Sequence, residues 1–194
     1  MKLKLLILPF AVLLLSMKPE VLKIEDVYED PENLMLRSEV IELPGKTLTE
    51  LKAMVENWGE TSLANTKEYW ADKSESSVKF SFLMPYETAG LFNTTVTVHY
   101  YIVFLVEYKE GKVRYKMYDD GNAYEPPTEN TKERLAKSYY YKDFFGKDGE
   151  IENKGLIGKL NYRLVNDFNT KVIATCSDFK AEMLGEKEGE DDDW

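Results

Sequence analysis

The chain has one cysteine, one histidine and fewer cations than anions, and each scarcity removes a class of function. A single thiol, Cys176, cannot make an internal disulfide, so the fold has to rest on core packing. A single imidazole, His99, with no second histidine and no thiol close in sequence, cannot supply the three or four protein ligands that zinc takes. There is no phosphate-cradling glycine loop, no dinucleotide fingerprint and no nucleophile motif around a Ser, Thr or Cys. Lys and Arg total 25 against 35 Asp and Glu, a formal charge of -10. Such a chain has little with which to replace the counterions of a nucleic acid. The longest apolar run falls well short of the roughly 20 residues that cross a bilayer. Catalysis, metals, cofactors, nucleic acid and a stable membrane span are therefore not expected, and the chain is expected to be a monomer.

What is present begins at the amino terminus. Lys2 and Lys4 precede the apolar stretch Leu5 to Leu15, which Pro9 interrupts, and polar sequence resumes at Lys18. That order of charge and apolarity predicts a signal peptide over residues 1–18 and export to the periplasm or cell surface. Residues 19–37 mix charges with scattered apolar positions around the turn signal Asp30-Pro31 and read as a linker or lead-in. The length of 194 residues suits about one domain, placed over residues 38–184. The end of the chain, 185–194, carries Glu186, Glu188, Glu190, Asp191, Asp192 and Asp193 against Lys187 alone. It reads as an acidic disordered tail.

The domain is organised around Thr95 to Tyr108. At period two this stretch places Val96, Val98, Tyr100, Ile102, Phe104, Val106 and Tyr108 on one face, and it contains no Gly or Pro. That pattern is a central strand. Ser77 to Met84 alternates in the same way through Val78, Phe80, Phe82 and Met84, and ends at Pro85. Glu110-Gly111 turns the central strand into Lys112 to Tyr118, where Val113, Tyr115 and Met117 alternate with Lys112, Arg114 and Lys116. Upstream, a strand over Ser38 to Leu43 meets Pro44-Gly45. Thr47-x-x-Glu50 then forms a capping box for a helix carrying Leu48, Leu51, Met54, Val55 and Trp58, with Gly59 as its stop. Leu156 to Met183 repeats apolar residues every three or four positions without a proline and predicts a helix long enough to lie across the sheet. The fold class is α+β: a curved antiparallel meander with a long C-terminal helix packed on it.

Two motifs carry a resemblance. Ile41 to Leu51 (IELPGKTLTEL) leads a strand into the first helix, and Lys109 to Tyr115 (KEGKVRY) closes the last hairpin. Together they resemble the DUF4468 family of exported Bacteroidetes proteins, covering roughly Ser38 to Tyr118 well and the closing helix more weakly. The resemblance implies a TBP-like, or helix-grip-like, curved sheet with a helix laid on it, in a periplasmic or cell-surface setting. It supplies no catalytic residues.

Two candidate sites follow from the aromatic content. Phe80, Phe82, Tyr100, Phe104 and Tyr115 share the apolar sheet face and would line a ligand cavity if the helix stands off, or fill a core if it does not. This predicts a non-enzymatic binding module for an apolar small molecule or lipid. Tyr139, Tyr140, Tyr141, Phe144 and Phe145 crowd the irregular stretch between Asp119 and Gly155 and would either seal the core or present a surface to an envelope protein. That alternative is a structural or interaction component of the cell envelope. Lys109, Lys112, Arg114 and Lys116 around the last hairpin read as solvated edge protection or as a place for an anionic headgroup or glycan.

Overall fold

The computed structural model describes residues 20–63, 66, 69–89, 95–124 and 140–186, with 85–89, 95–99 and 121–124 described through their backbone. The expected signal peptide and nearly all of the acidic tail lie outside these residues. Among the described residues the chain forms β1 (Val21–Lys23), α1 (Ile24–Val27), β2 (Met35–Glu42), α2 (Leu48–Trp58), β3 (Tyr69–Lys73), β4 (Ser77–Ala89), β5 (Thr95–Lys109), β6 (Lys112–Tyr124), β7 (Glu150–Glu152) and α3 (Gly155–Leu184). β2-β6-β5-β4-β3 make one antiparallel sheet, and β1 pairs with β7 beside it.

β5 is the middle strand of that sheet, as its alternation requires. Tyr100, Ile102, Phe104, Val106 and Tyr108 are buried against the helices, while Tyr101, Val103, Leu105 and Glu107 on the other face keep partial exposure. The register aligns Phe80 with Phe104 and Phe104 with Met117, so the inward residues of three strands form one apolar layer. Gly111 turns the β5–β6 hairpin at φ 74°, a conformation that costs glycine nothing.

Several stretches differ from the sequence reading. First, β4 does not stop at Pro85 but runs on to Ala89, with Pro85 opposite His99. β3 accompanies β4 only as far as the pair Tyr69 and Phe82. Beyond it β4 has no partner strand on that side among the described residues, and at such an edge a missing N–H does no harm. β3 itself was hidden by its charges: Tyr69 and Ala71 pack on the core, Trp70 and Asp72 face outward, and Lys73, on the inner face at the strand's end, reaches Glu56 of α2 at 2.9 Å.

Second, residues 20–37 are not a linker. Leu22 sits opposite Ile151 in the β1–β7 pair, and Val27, Tyr28 and Leu36 are fully buried. Their apolar positions show no period because they fall in a strand, a helical turn and a loop. Arg37 fastens the segment, its guanidinium donating to the carbonyls of Val27 (2.7 Å) and Asp26 (2.9 Å) and to Asn169 Oδ1 on α3 (2.8 Å).

Third, Gly59 is not a stop. The Thr47–Glu50 capping box forms as expected, Thr47 N donating to Glu50 Oε2 at 2.8 Å, but the far end of α2 continues into a π turn, Gly59–Leu63. Gly59 keeps right-handed helical geometry at φ -58° and ψ -42°. Glycine is needed there for space. A Cβ would lie 2.4 Å from Phe80 Cε1 and 2.6 Å from Cζ, inside a ring that Trp58 holds at 5.9 Å. Gly59→Ala is therefore expected to destabilise the fold by about 1–3 kcal/mol, the usual cost of overpacking. A denaturant melt checks this, and a change within a few tenths of a kcal/mol would show that the ring can yield.

α3 carries the cover. Leu164, Val165, Phe168, Val172, Cys176, Phe179 and Met183 are buried, and Gly185 ends the helix in the left-handed region at φ 70°. Its first turn departs from the expected stripe. Leu156 and Ile157 are exposed, because Gly158 brings the backbone close to β7: a Cβ there would lie 2.6 Å from Glu152 O.

Candidate functional site

The rings proposed to line a cavity lie in a closed layer. Phe80, Phe82, Tyr100, Phe104 and Tyr115 are all buried. Trp58 comes down from α2 onto Phe104 (5.1 Å between centroids) and Phe179 (4.8 Å), and Phe179 of α3 reaches Phe104 (5.1 Å) and Tyr115 (5.5 Å). The Trp58 indole N–H donates to Asp178 Oδ2 at 2.8 Å, which locks α2 to α3. Of the two outcomes open to these residues, the helix lies down on the sheet and they are core.

The second aromatic group divides. Tyr139 lies outside the described residues. Tyr141 is fully buried, stacked on Phe168 at 3.7 Å and on Tyr100 at 4.2 Å. Phe144 and Phe145 pack part-buried against the same core, and half-buried Tyr140 lies under the Lys142 ammonium at 5.4 Å. This stretch is held by a polar clasp that the sequence did not suggest. Asp119, on the inward face of β6, is buried and accepts from the Tyr28 hydroxyl at 2.6 Å and from the Tyr141 amide at 3.2 Å, while the Lys142 amide donates to the Tyr28 oxygen at 3.1 Å. Burial foremost, then the Asp119 charge, pushes the Tyr28 phenol far above its ordinary value.

His99 lies in β5 opposite Pro85 and Tyr124; its side chain is outside the described residues. Cys176 is buried with its Sγ 3.7 Å from Met117 Sδ, and burial pushes the thiol up to about 11, so it is protonated and inert at neutral pH. Among the described residues no three His, Cys, Asp or Glu side chains gather where a metal could sit.

The open feature is on the other side of the sheet. A groove of about 360 Å³ is lined by Val40, Ser76, Ser77, Glu107, Tyr108, Lys109, Lys112, Val113 and Arg114. Strand register builds it. Ser77 pairs with Glu107, Glu107 with Arg114, and Arg114 with Val40, so the lateral row crosses four strands, and Lys109 faces Lys112 at the hairpin end. Alternation puts Ser77, Glu107, Arg114 and Val40 outward because the neighbours Val78, Val106 and Val113 point inward. Glu107 receives Arg114 Nη2 at 2.7 Å and Lys116 Nζ at 3.5 Å. Partial burial opposes its charge, but these two cations and their hydrogen bonds hold the carboxyl below its ordinary value. Lys112 reaches Glu42 only at 3.9 Å, and Lys109 makes no ion pair among the described residues. The groove is therefore cationic on a strongly anionic chain, with half-exposed Val40 as an apolar patch. Its lining offers anion binding and contains no cysteine or histidine. The alternation of Lys112, Arg114 and Lys116 was visible in the sequence; Val40, Ser77 and Glu107 arrive from other strands by register, which no local pattern encodes.

An open antiparallel sheet with one long helix across its inner face defines a TBP-like fold. Two solved structures share it: a TBP-like protein from Parabacteroides distasonis ATCC 8503 (TM-score 0.53, 12% identity, 78% of this chain and 94% of that one) and a DUF4468 family protein from Bacteroides ovatus ATCC 8483 (TM-score 0.53, 12% identity, 81% of this chain and 92% of that one). At that identity the likeness establishes the fold alone. No protein-family model and no curated protein matches the sequence.

Proposed function

We propose that this chain is an exported, non-enzymatic binding module of the periplasm or cell surface, acting as a monomer, and that its ligand is an acidic segment of an envelope protein held in the outer-face groove. The observation that carries this reading is the cationic row on the open sheet, with Lys109 unpaired among the described residues and Lys112 only loosely paired. Export is supported by the charge order of Lys2, Lys4 and Leu5 to Leu15. An apolar small molecule or lipid between sheet and helix is not favoured, since Trp58, Phe104 and Phe179 are in contact there. Half-buried Tyr140, Phe144 and Phe145 support a second reading, in which the envelope partner meets the 119–155 stretch instead.

A fluorescein-labelled hexa-aspartate peptide, titrated into the purified full chain at low salt, tests the first reading. Binding is expected to weaken tenfold or more in the triple variant Lys109→Ser, Lys112→Ser, Arg114→Ser, with an unchanged thermal melt, because exposed side chains contribute little to stability. Equal affinity in the variant would remove the groove from consideration.

A further inference from the structure

We propose that the acidic ligand also carries an aromatic residue, about six positions from its acids, and that this residue settles on a separate aromatic shelf of the outer sheet face, around Trp70. The inference rests on the reading of the groove as the seat of an acidic segment and gives that segment a second point of contact. Two observations support it.

The first is the shelf. Register places Trp70 beside Ser81, Ser81 beside Val103 and Val103 beside Tyr118, one lateral row across β3, β4, β5 and β6. These residues face outward, because Phe80, Phe82, Ile102, Phe104 and Met117 next to them in sequence point inward. Trp70 is half exposed, and its ring meets that of Tyr101 across β4, with centroids 6.3 Å apart and planes at 53°. Leu83, opposite Tyr101, is only 2% exposed yet stands apart from the core cluster between sheet and helices. The outer face therefore has a small apolar cluster of its own, with Trp70 as its open side. β3 ends the sheet, and an exposed indole on such a strand invites association. Trp and Tyr are also the side chains that most often anchor an interface.

The second is continuity with the groove. Lys79, Leu105 and Lys116 form the next row, between the shelf and the row of Ser77, Glu107 and Arg114. The face thus passes from aromatic to cationic within the stretch Val103 to Glu107, and an acidic chain meets lysines along the way. Arg114 and Trp70 are four residues apart along the strands and three strands apart across them. On a flat sheet that is about 14 Å in each direction, or about 20 Å between the two backbone positions. About six extended residues span it without leaving the face.

The test uses the purified full chain at low salt, with the fluorescein-labelled hexa-aspartate as reporter. The unlabelled competitors are hexa-aspartate joined to Trp by a spacer of about five Gly and Ser residues, and the same peptide with Gly in place of Trp. Both are made in either chain direction. In one direction the Trp peptide is expected to displace the reporter at a concentration about fivefold below that of its Gly control. Trp70→Ser should abolish that advantage and leave the affinity for hexa-aspartate unchanged. In the parent chain the amide signals of Trp70, Tyr101 and Val103 should shift with the Trp peptide and not with the Gly peptide, which reads the same contact should the variant fold poorly. Equal displacement by Trp and Gly peptides in both directions, or an advantage that survives Trp70→Ser, would overturn the shelf and leave the groove standing. Shifts at Trp70 that grow with protein concentration in the absence of peptide would also overturn it, since a second copy would then cover the shelf. If the Trp peptide binds the Lys109→Ser, Lys112→Ser, Arg114→Ser variant as tightly as the parent, or if the reporter binds neither, the groove reading fails and the two-point ligand fails with it.

Discussion

Asp119→Ala is expected to be among the most damaging single substitutions in the domain, costing about 3–5 kcal/mol. The Asp119 carboxylate is the point at which three separated segments meet: Tyr28 from the lead-in, β6, and the turn at Tyr141. Removing it leaves the Tyr28 hydroxyl and the Tyr141 amide without this acceptor in a site closed to water, at about 1–3 kcal/mol for each buried group left unmet. A small cavity adds to the loss. For a chain of this size, about 2–4 °C of melting temperature goes with each kcal/mol, so calorimetry should show a fall of roughly 6–20 °C. Tyr28→Phe keeps the ring but removes the hydroxyl that donates to Asp119 and accepts from the Lys142 amide, and about 1–3 kcal/mol is expected from it. If both variants melted within a degree of the parent, the clasp would contribute nothing and the aromatic stack of Tyr141 on Phe168 and Tyr100 would suffice to hold the turn.

That clasp also marks the boundary of what could be read from sequence. β4, β5, β6, α2 and α3 were legible because their burial follows a period: two for Tyr100 to Tyr108, between three and four for Leu164 to Met183. A period is a local property, and so were the capping box at Thr47 and the hairpin glycine Gly111. Leu22, Val27, Tyr28 and Leu36 have no period, since successive contacts fall in different elements. Asp119 read only as the start of the irregular stretch after Tyr118; the return of Tyr28 and Tyr141 from distant positions makes it a buried acceptor. Gly59 matched a helix stop, and the contact that explains it comes from Phe80 on another strand. The groove divides in the same way, its lysines legible from alternation along β6 and its Glu107 and Val40 supplied by pairing.

A cooperative alkaline collapse is the second large effect expected, and its sign follows from the buried phenols. Tyr28 and Tyr115 are pushed far above the ordinary tyrosine value, in both cases chiefly by burial, and Tyr100 and Tyr108 are raised by the same cause. Each phenol is neutral while protonated. Below the unfolded value of about 10 the folded and unfolded chains hold these protons equally, and stability does not depend on them. Above it the unfolded chain releases them and the folded chain does not, so stability falls by about 1.4 kcal/mol per pH unit for each such group. Tyr28 and Tyr115 together give a slope of about 3 kcal/mol per unit, and Tyr100 and Tyr108 steepen it further. Against a total stability of about 5–15 kcal/mol, the domain should unfold as pH rises between roughly 11 and 13. Phenolate absorbance should then rise in one step that coincides with loss of ellipticity. Gradual titration near pH 10 with ellipticity intact would mean that solvent reaches these rings. Tyr28→Phe separates the two roles of its hydroxyl: it lowers stability at neutral pH by removing a hydrogen bond to Asp119, yet makes the alkaline slope shallower by one proton, so the variant and parent curves should converge as pH rises.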